Sequence, residues 1–371
     1  QNERASGILS RPGTKKVTNE RDLYISLWQN YIVMACCIAP SSHTSDQLRS
    51  VSPDLSASGS EAVLGEGPPK SPGYQSTAKD LFKLLVPLIR CETTDIMEAV
   101  VMGLGHTNPE AFRDLIVELL PIMKEAIDRK QENVRRRKRR DVLRLALIKM
   151  FRAMAEHGIF NESSSGVIES TNALCFTFVE YIEGARQFLD GENDKDGAIL
   201  QEIRLHFSEF VRHLIRNTPV EKRGSLLSRE LRYSLFYLFA SWSGKFGLTF
   251  GHIRGNKEDR LSELQLSAVQ AMSAVLCCGP AFDPTGLNEE GYIYAWLDIL
   301  LAAHEEKIKL QIYKLAQETV VLLLEFNPDV QTLLEWVIDR CYTGAHEVAD
   351  GCLNALSMVF NNREYPCDHV A

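Results

Sequence analysis

The chain has 371 residues, a formal net charge of −8 and an apolar share of 45%. This is ordinary globular composition, long enough for two or three compact domains or one elongated repeat array. An acidic chain offers DNA no general counterion-releasing surface, and no signal peptide or membrane-length apolar run is seen. Composition therefore points to protein partners before nucleic acid, and against membrane insertion.

The first residue is not Met and the last residues lie close to a helical pattern, so the sequence reads as a piece of something longer. Residues 1–18 are polar and expected to be flexible. Residues 19–39 place Leu23, Leu27, Trp28, Tyr31, Ile32, Ala35 and Ile38 at helical spacing, with Pro40 as the stop. Residues 40–76 are rich in Ser, Pro and Gly, a composition that cannot offset the entropy of ordering, and are expected to form a disordered loop. Within it Ser52-Pro53 and Ser71-Pro72 are minimal sites for proline-directed phosphorylation of Ser52 and Ser71.

From residue 77 to 371 amphipathic stretches follow one another with short polar breaks. One opens at Thr77, with Asp80 three residues on as a capping box. The next runs from a Thr to Gly105. Another takes Asn108 as cap, Pro109 at the first helical position and Glu110 beside it. A later stretch, from Arg140, stops at Gly158. Further helices are expected up to Pro219, Gly244 and Gly279, and on to Asn362. The Asn-Pro-acid start at Asn108 is echoed at Asn327-Pro328-Asp329, where the same capping is expected. Residues 245–255 are read as a loop that packs its aromatics. No stretch alternates as a strand does.

Each helix pair has too little core to stand alone, and 231–242 is apolar over most of its girth, so it must be covered on more than one side. The expected fold is all-α: a HEAT/armadillo-like α-solenoid, a superhelical array of helix hairpins, with a single globular helical domain as the alternative.

Catalytic and metal signatures are missing from the pattern. Gly244, Gly247 and Gly251 have the wrong spacing for a phosphate loop, and no strand precedes them. His304-Glu305-Glu306 lacks the second His of a zinc site. His206 and His213 could share a helix face but have no third ligand in register. The nine Cys form no CxxC pair, and Cys175, Cys277, Cys278 and Cys352 lie on apolar helices, which predicts packed, reduced thiols in a cytosolic protein. The reading is non-enzymatic, with no cofactor and no metal.

One motif stands out: Arg135, Arg136, Arg137, Lys138, Arg139 and Arg140 in an acidic chain. Three readings remain open. The cations cap the C-terminal end of the preceding helix, in a solvated link. They form a nuclear-import signal. Or they dock an acidic or phosphorylated protein surface, to which Arg forks are suited. No aromatic is interleaved, so a base-stacking platform is absent.

The run LFKLLVPLIRCETTDIMEAVVMGLGHTNPEAFRDLIVELLPIMKEAIDRKQENVRRRKRRDVLRLALIKMF resembles the corresponding part of Furry-family cell morphogenesis proteins, as does LRYSLFYLFASWSGKFG. The GLG-TNP junction and the basic block before DVLR carry the likeness. The resemblance implies the N-terminal helical-repeat part of a non-catalytic scaffold. It further implies work with NDR-family kinases and their Mob coactivators, and roles in cell shape, polarised growth and neurite patterning. Association with microtubules, and a place in the cytoplasm at the cytoskeleton or cell cortex, are implied as well. One branch of the family is tied to transcription, which implies a nuclear pool; a nuclear regulator whose basic block is an import signal or a nucleic-acid contact is the alternative reading.

Overall fold

The computed structural model describes residues 20–42, 77–128, 133–161, 173–192, 197–247, 262–282, 291–302 and 309–362. Among these every regular element is helical. In chain order they are α1 (Glu20–Ile38), α2 (Ala78–Leu85), α3 (Thr94–Gly105), α4 (Phe112–Ile127), α5 (Val134–Glu156), α6 (Ala173–Asp190) and α7 (Ala198–Asn217). Then come α8 (Val220–Leu226), α9 (Arg229–Trp242), α10 (Glu263–Leu276), α11 (Gly291–Leu301), α12 (Lys309–Phe326), α13 (Gln331–Thr343) and α14 (His346–Asn362). Single turns of 3-10 helix at Val86–Arg90, Pro109–Ala111, Ile159–Asn161 and Gly244–Phe246 join or extend them.

The helices lie in two rows. In one row α1 packs on α3, α3 on α5, α5 on α7, α7 on α10, α10 on α12 and α12 on α14. In the other α2 packs on α4, α4 on α6 and α6 on α9. That row continues through ring contacts from α9 to α11 (Phe236 to Trp296, 5.3 Å) and from α11 to α13 (Tyr294 to Trp336, 5.2 Å). Each hairpin contributes its first helix to one row and its second to the other. This is the all-α solenoid of HEAT/armadillo type, in which a repeat buries its apolar face only by stacking on its neighbours.

Local chemistry explains several joints. The Asp80 carboxylate accepts from the Thr77 N–H (3.1 Å) and hydroxyl (2.9 Å), closing the start of α2 as its sequence predicts. Pro87 supports the switch to a 3-10 turn after α2. Gly158, at φ 71°, turns the chain out of α5. The two glycines of GLG have another task. A Cβ on Gly103 would stand 2.1 Å from Ile32 Cγ2 of α1, and one on Gly105 2.8 Å from Ala153 Cβ of α5. Their bareness lets α1 and α5 close on α3. The following His106-Thr107-Asn108 ties down the end of α1: the Asn108 N–H donates to the Cys36 carbonyl at 2.9 Å and the Cys37 thiol to that of His106 at 3.2 Å.

A repeated side chain locks successive hairpins. In α5, Arg144 Nε donates to the Ala126 carbonyl (2.7 Å) and Nη2 to that of Asp128 (3.2 Å), at the end of α4. Its guanidinium lies 3.6 Å over the Phe188 ring of α6. In α7, Arg204 Nη2 donates to the Glu192 carbonyl just past α6 (3.2 Å), and its guanidinium lies 5.4 Å over Trp242 of α9. Each arginine meets the carbonyl end of its own hairpin's first helix and stacks on an aromatic of the next hairpin's first helix.

Several sequence expectations are corrected. The helix expected from Arg140 starts at Val134, so the basic block is helical. Asn108 caps the 3-10 turn Pro109–Ala111, its side chain accepting from the Glu110 N–H, and α4 follows at Phe112. Asn327 is no cap. Its Oδ1 accepts from the N–H groups of Ala281 (3.0 Å) and Phe282 (3.3 Å), its Nδ2 donates to the Leu323 carbonyl, and α13 starts only at Gln331. Helix α8 had no counterpart in the sequence reading. Of the loop read at 245–255, Phe246 is buried and its carbonyl accepts from Trp296 Nε1 at 3.0 Å. Residues 248–261, residues 1–19, residues 43–76 with Ser52 and Ser71, and His304-Glu305-Glu306 lie outside the described residues.

Candidate functional site

The block Arg135–Arg140 occupies the first turns of α5, behind Asn133, whose Oδ1 accepts from the Arg136 N–H at 3.0 Å. The sequence reading that placed these cations at the C-terminal end of the preceding helix holds only for Arg140, which meets the carbonyl of Asp128, the residue that closes α4; the block as a whole sits at the positive end of the α5 dipole. There they are mildly unfavourable, by a few tenths of a kcal/mol each. Capping does not account for the block.

Stacking then divides the block. Arg137 pairs with Glu192 beyond α6 and, more loosely, with Asp141 at 4.0 Å. Arg139 pairs with Glu92 at 3.2 Å, and Arg140 Nη1 donates to the Asp128 carbonyl at 2.6 Å. Arg135, Arg136 and Lys138 are exposed and pair with no carboxylate among the described residues.

Those three line a groove of about 1020 Å³ between the first half of α5, the 3-10 turn Val86–Arg90, the start of α3 and one residue of α7. Its floor is apolar: Ile89, Met97, Leu143 and Leu145 are buried, and Val142 is half-buried. Four carboxylates also line it, and each has a cation. Glu125 pairs with Arg90, Glu92 with Arg139, and Glu98 and Glu202 both with Lys149 at 3.5 Å. The charge left over in the groove is positive and lies at the α5 N-terminal end.

The sequence reading found the rim and missed the floor and Lys149. Val142, Leu143 and Leu145 look like any core-facing residues of a helix, and only the gap between packed helices makes them a lining.

Other candidates are absorbed by the fold. His206 Nδ1 lies 3.3 Å from Glu209, which also meets Arg152 Nε at 2.8 Å. Burial works against the Glu209 carboxylate, yet the His206 hydrogen bond and Arg152 hold it below the usual range. His213 is lowered by burial and by Arg212. Burial pushes the thiols of Cys36, Cys277 and Cys352 up to about 12 and that of Cys278 up to about 11, and raises that of Cys175. These thiols are protonated at neutral pH, the opposite of what a nucleophile needs. Among the described residues no group of three or more His, Cys, Asp or Glu could hold a metal ion, and no helix is long and apolar enough to cross a membrane.

Residues 67–256, just over half of the chain, match the family model described as the cell morphogenesis central region. The match spans α2 to α9 and the whole groove. The cell polarity protein mor2 of Schizosaccharomyces pombe is 25% identical over 370 residues, covering 88% of this chain and 16% of that protein. The chain thus spans about a sixth of the length of the curated relative it matches.

Proposed function

The chain belongs to the cell morphogenesis central region family, and from that premise we propose that it is a non-catalytic protein-docking scaffold in cell morphogenesis and polarised growth. The observation that carries this reading is that Arg135, Arg136 and Lys138, which pair with no carboxylate among the described residues, line an apolar-floored groove on a helical stack. Such a surface binds and positions. Among the described residues, the buried thiols and His206, held against Glu209, supply no nucleophile or base in an open cleft. The name of the yeast relative, a cell polarity protein, agrees with the role.

The Furry likeness extends the proposal to partners: an NDR-family kinase with its Mob coactivator, and microtubules, met in the cytoplasm at the cytoskeleton or cortex. The Ser52 and Ser71 sites belong to the same reading as regulatory positions. Pro40 and Ala78, which flank the stretch that holds them, meet through a 3.0 Å backbone hydrogen bond, and Ser42 is tied to Asp114.

The test is crosslinking and co-purification of the chain with a kinase–coactivator pair, beside the variant Arg135→Gln, Arg136→Gln, Lys138→Gln. Capture by the wild type, and a variant that binds about tenfold more weakly with a shallower salt dependence, is the expected result. Equal affinity at every salt concentration removes the block from docking. A reporter carrying residues 130–145 checks the nuclear alternative: accumulation in the nucleus supports an import signal, and a diffuse cytoplasmic reporter counts against it.

A further inference from the structure

The geometry points to a specific occupant for the groove beside α5: an amphipathic helix of a partner protein, acidic at the end that meets Arg135, Arg136 and Lys138 and apolar along the face that meets Ile89, Met97, Val142 and Leu143. This rests on the docking-scaffold reading and narrows it.

A helix, and not an extended strand, follows from the walls. They are mostly helices whose backbone groups bond within themselves, with only the short link 91–93 between them, so an extended segment would find no continuous ladder of donors and acceptors to pair with. An occupant that satisfies its own backbone is a helix. The volume agrees. A helix about 10 Å across fills 1020 Å³ over about nine residues if wholly sunk, or about eighteen if half sunk. The apolar floor asks for side chains at i, i+3, i+4 and i+7 on one face.

The charge sets its direction. The uncompensated cations lie at the α5 N-terminal end. Lys149, already shared by Glu98 and Glu202, lies eleven residues beyond Lys138, about 16 Å along the helix. A nucleic-acid backbone or any evenly charged polyanion would run its far half against those two carboxylates. A helix with its acids gathered at one end does not. A phosphorylated peptide would use the cations and leave the floor exposed to water.

The probe is a fluorescent eighteen-residue helix of Leu, Ala and Glu with a leucine stripe and its glutamates in one terminal third. It is compared, by anisotropy against the whole chain, with a scrambled peptide of the same composition and a phosphoserine peptide of the same charge. The striped helix is expected to bind at least about tenfold more tightly than either. The triple Gln variant should lose about tenfold at an unchanged melting temperature, and Val142→Ser several-fold. Hydrogen exchange should slow at residues 86–97 and 142–149 on binding. Equal binding of striped and scrambled peptides, or tighter binding of the phosphopeptide, overturns the helix groove. The docking scaffold then still stands if the wild-type chain captures the kinase–coactivator pair, and falls with the groove if it does not; unchanged capture by the triple variant removes only the block.

Discussion

The two halves of α5 are built from opposite materials within one continuous helix. From Val134 to Arg139 every residue is exposed. From Leu143 to Ala155 nearly every residue is buried, and Phe151 sits at the centre of a ring cluster, 5.2 Å from Phe178, 5.0 Å from Tyr181 and 6.0 Å from Phe210. The buried half binds α3, α6 and α7 into the stack. The exposed half overhangs the groove and is extended by the rigidity of the rest. A charged segment that would not hold a helix alone is kept helical because it continues a packed one, with Asn133 closing its free end.

That contrast can be broken from either side. Phe151→Ala removes the hub of the rings and should cost about 3–5 kcal/mol, read as a lower midpoint in urea unfolding. Arg144→Met, at the junction of the halves, removes a donor from the Ala126 and Asp128 carbonyls, the latter keeping Arg140, and leaves Phe188 without its stacked cation. A loss of about 2–3 kcal/mol is expected, and Arg144→Lys should recover only part of it because an ammonium cannot fork to two carbonyls. Gly105→Ala drives a methyl against Ala153 and should cost about 1–2 kcal/mol, partly relieved in the double variant with Ala153→Gly. The exposed half gives the smallest change. The triple variant Arg135→Gln, Arg136→Gln, Lys138→Gln should shift stability by under about 0.5 kcal/mol, toward gain if anything, because cations at a helix N-terminus oppose the dipole. A large loss there would mean that the overhang is structural and that the two halves are not separable. Replacing all six cations is a poorer probe, since Arg137, Arg139 and Arg140 hold Glu192, Glu92 and the Asp128 carbonyl.

Much of the fold was legible. Thr77 with Asp80, Asn108 with Pro109, and Gly158 mark helix ends through partners within four residues, and the apolar spacing between them survives as the core face of each helix. Residues 134–141 carry one apolar residue and no period, so the pattern read a link where the structure has a helix. Asn108 and Asn327 open near-identical letters, yet Asn327 spends its side chain on the 281–282 turn, a partner 45 residues away that no local rule can see. The arginine lock of Arg144 and Arg204 is a true internal repeat that went unnoticed, because its aromatic partners, Phe188 and Trp242, are a different residue each time.

The sequence by itself determined that this protein is a succession of amphipathic helices obliged to cover one another, because periodicity and capping act over one turn and composition sets what must be hidden. Only the tertiary structure decided which cations have no counter-charge among the described residues. Arg137 and Arg139 are neutralised across 55 and 47 residues of chain, by carboxylates brought to them when hairpins stack. Arg135, Arg136 and Lys138, one helical step away, are turned to the open groove. Helix phase and neighbour placement make that division, and neither is written in the six consecutive letters.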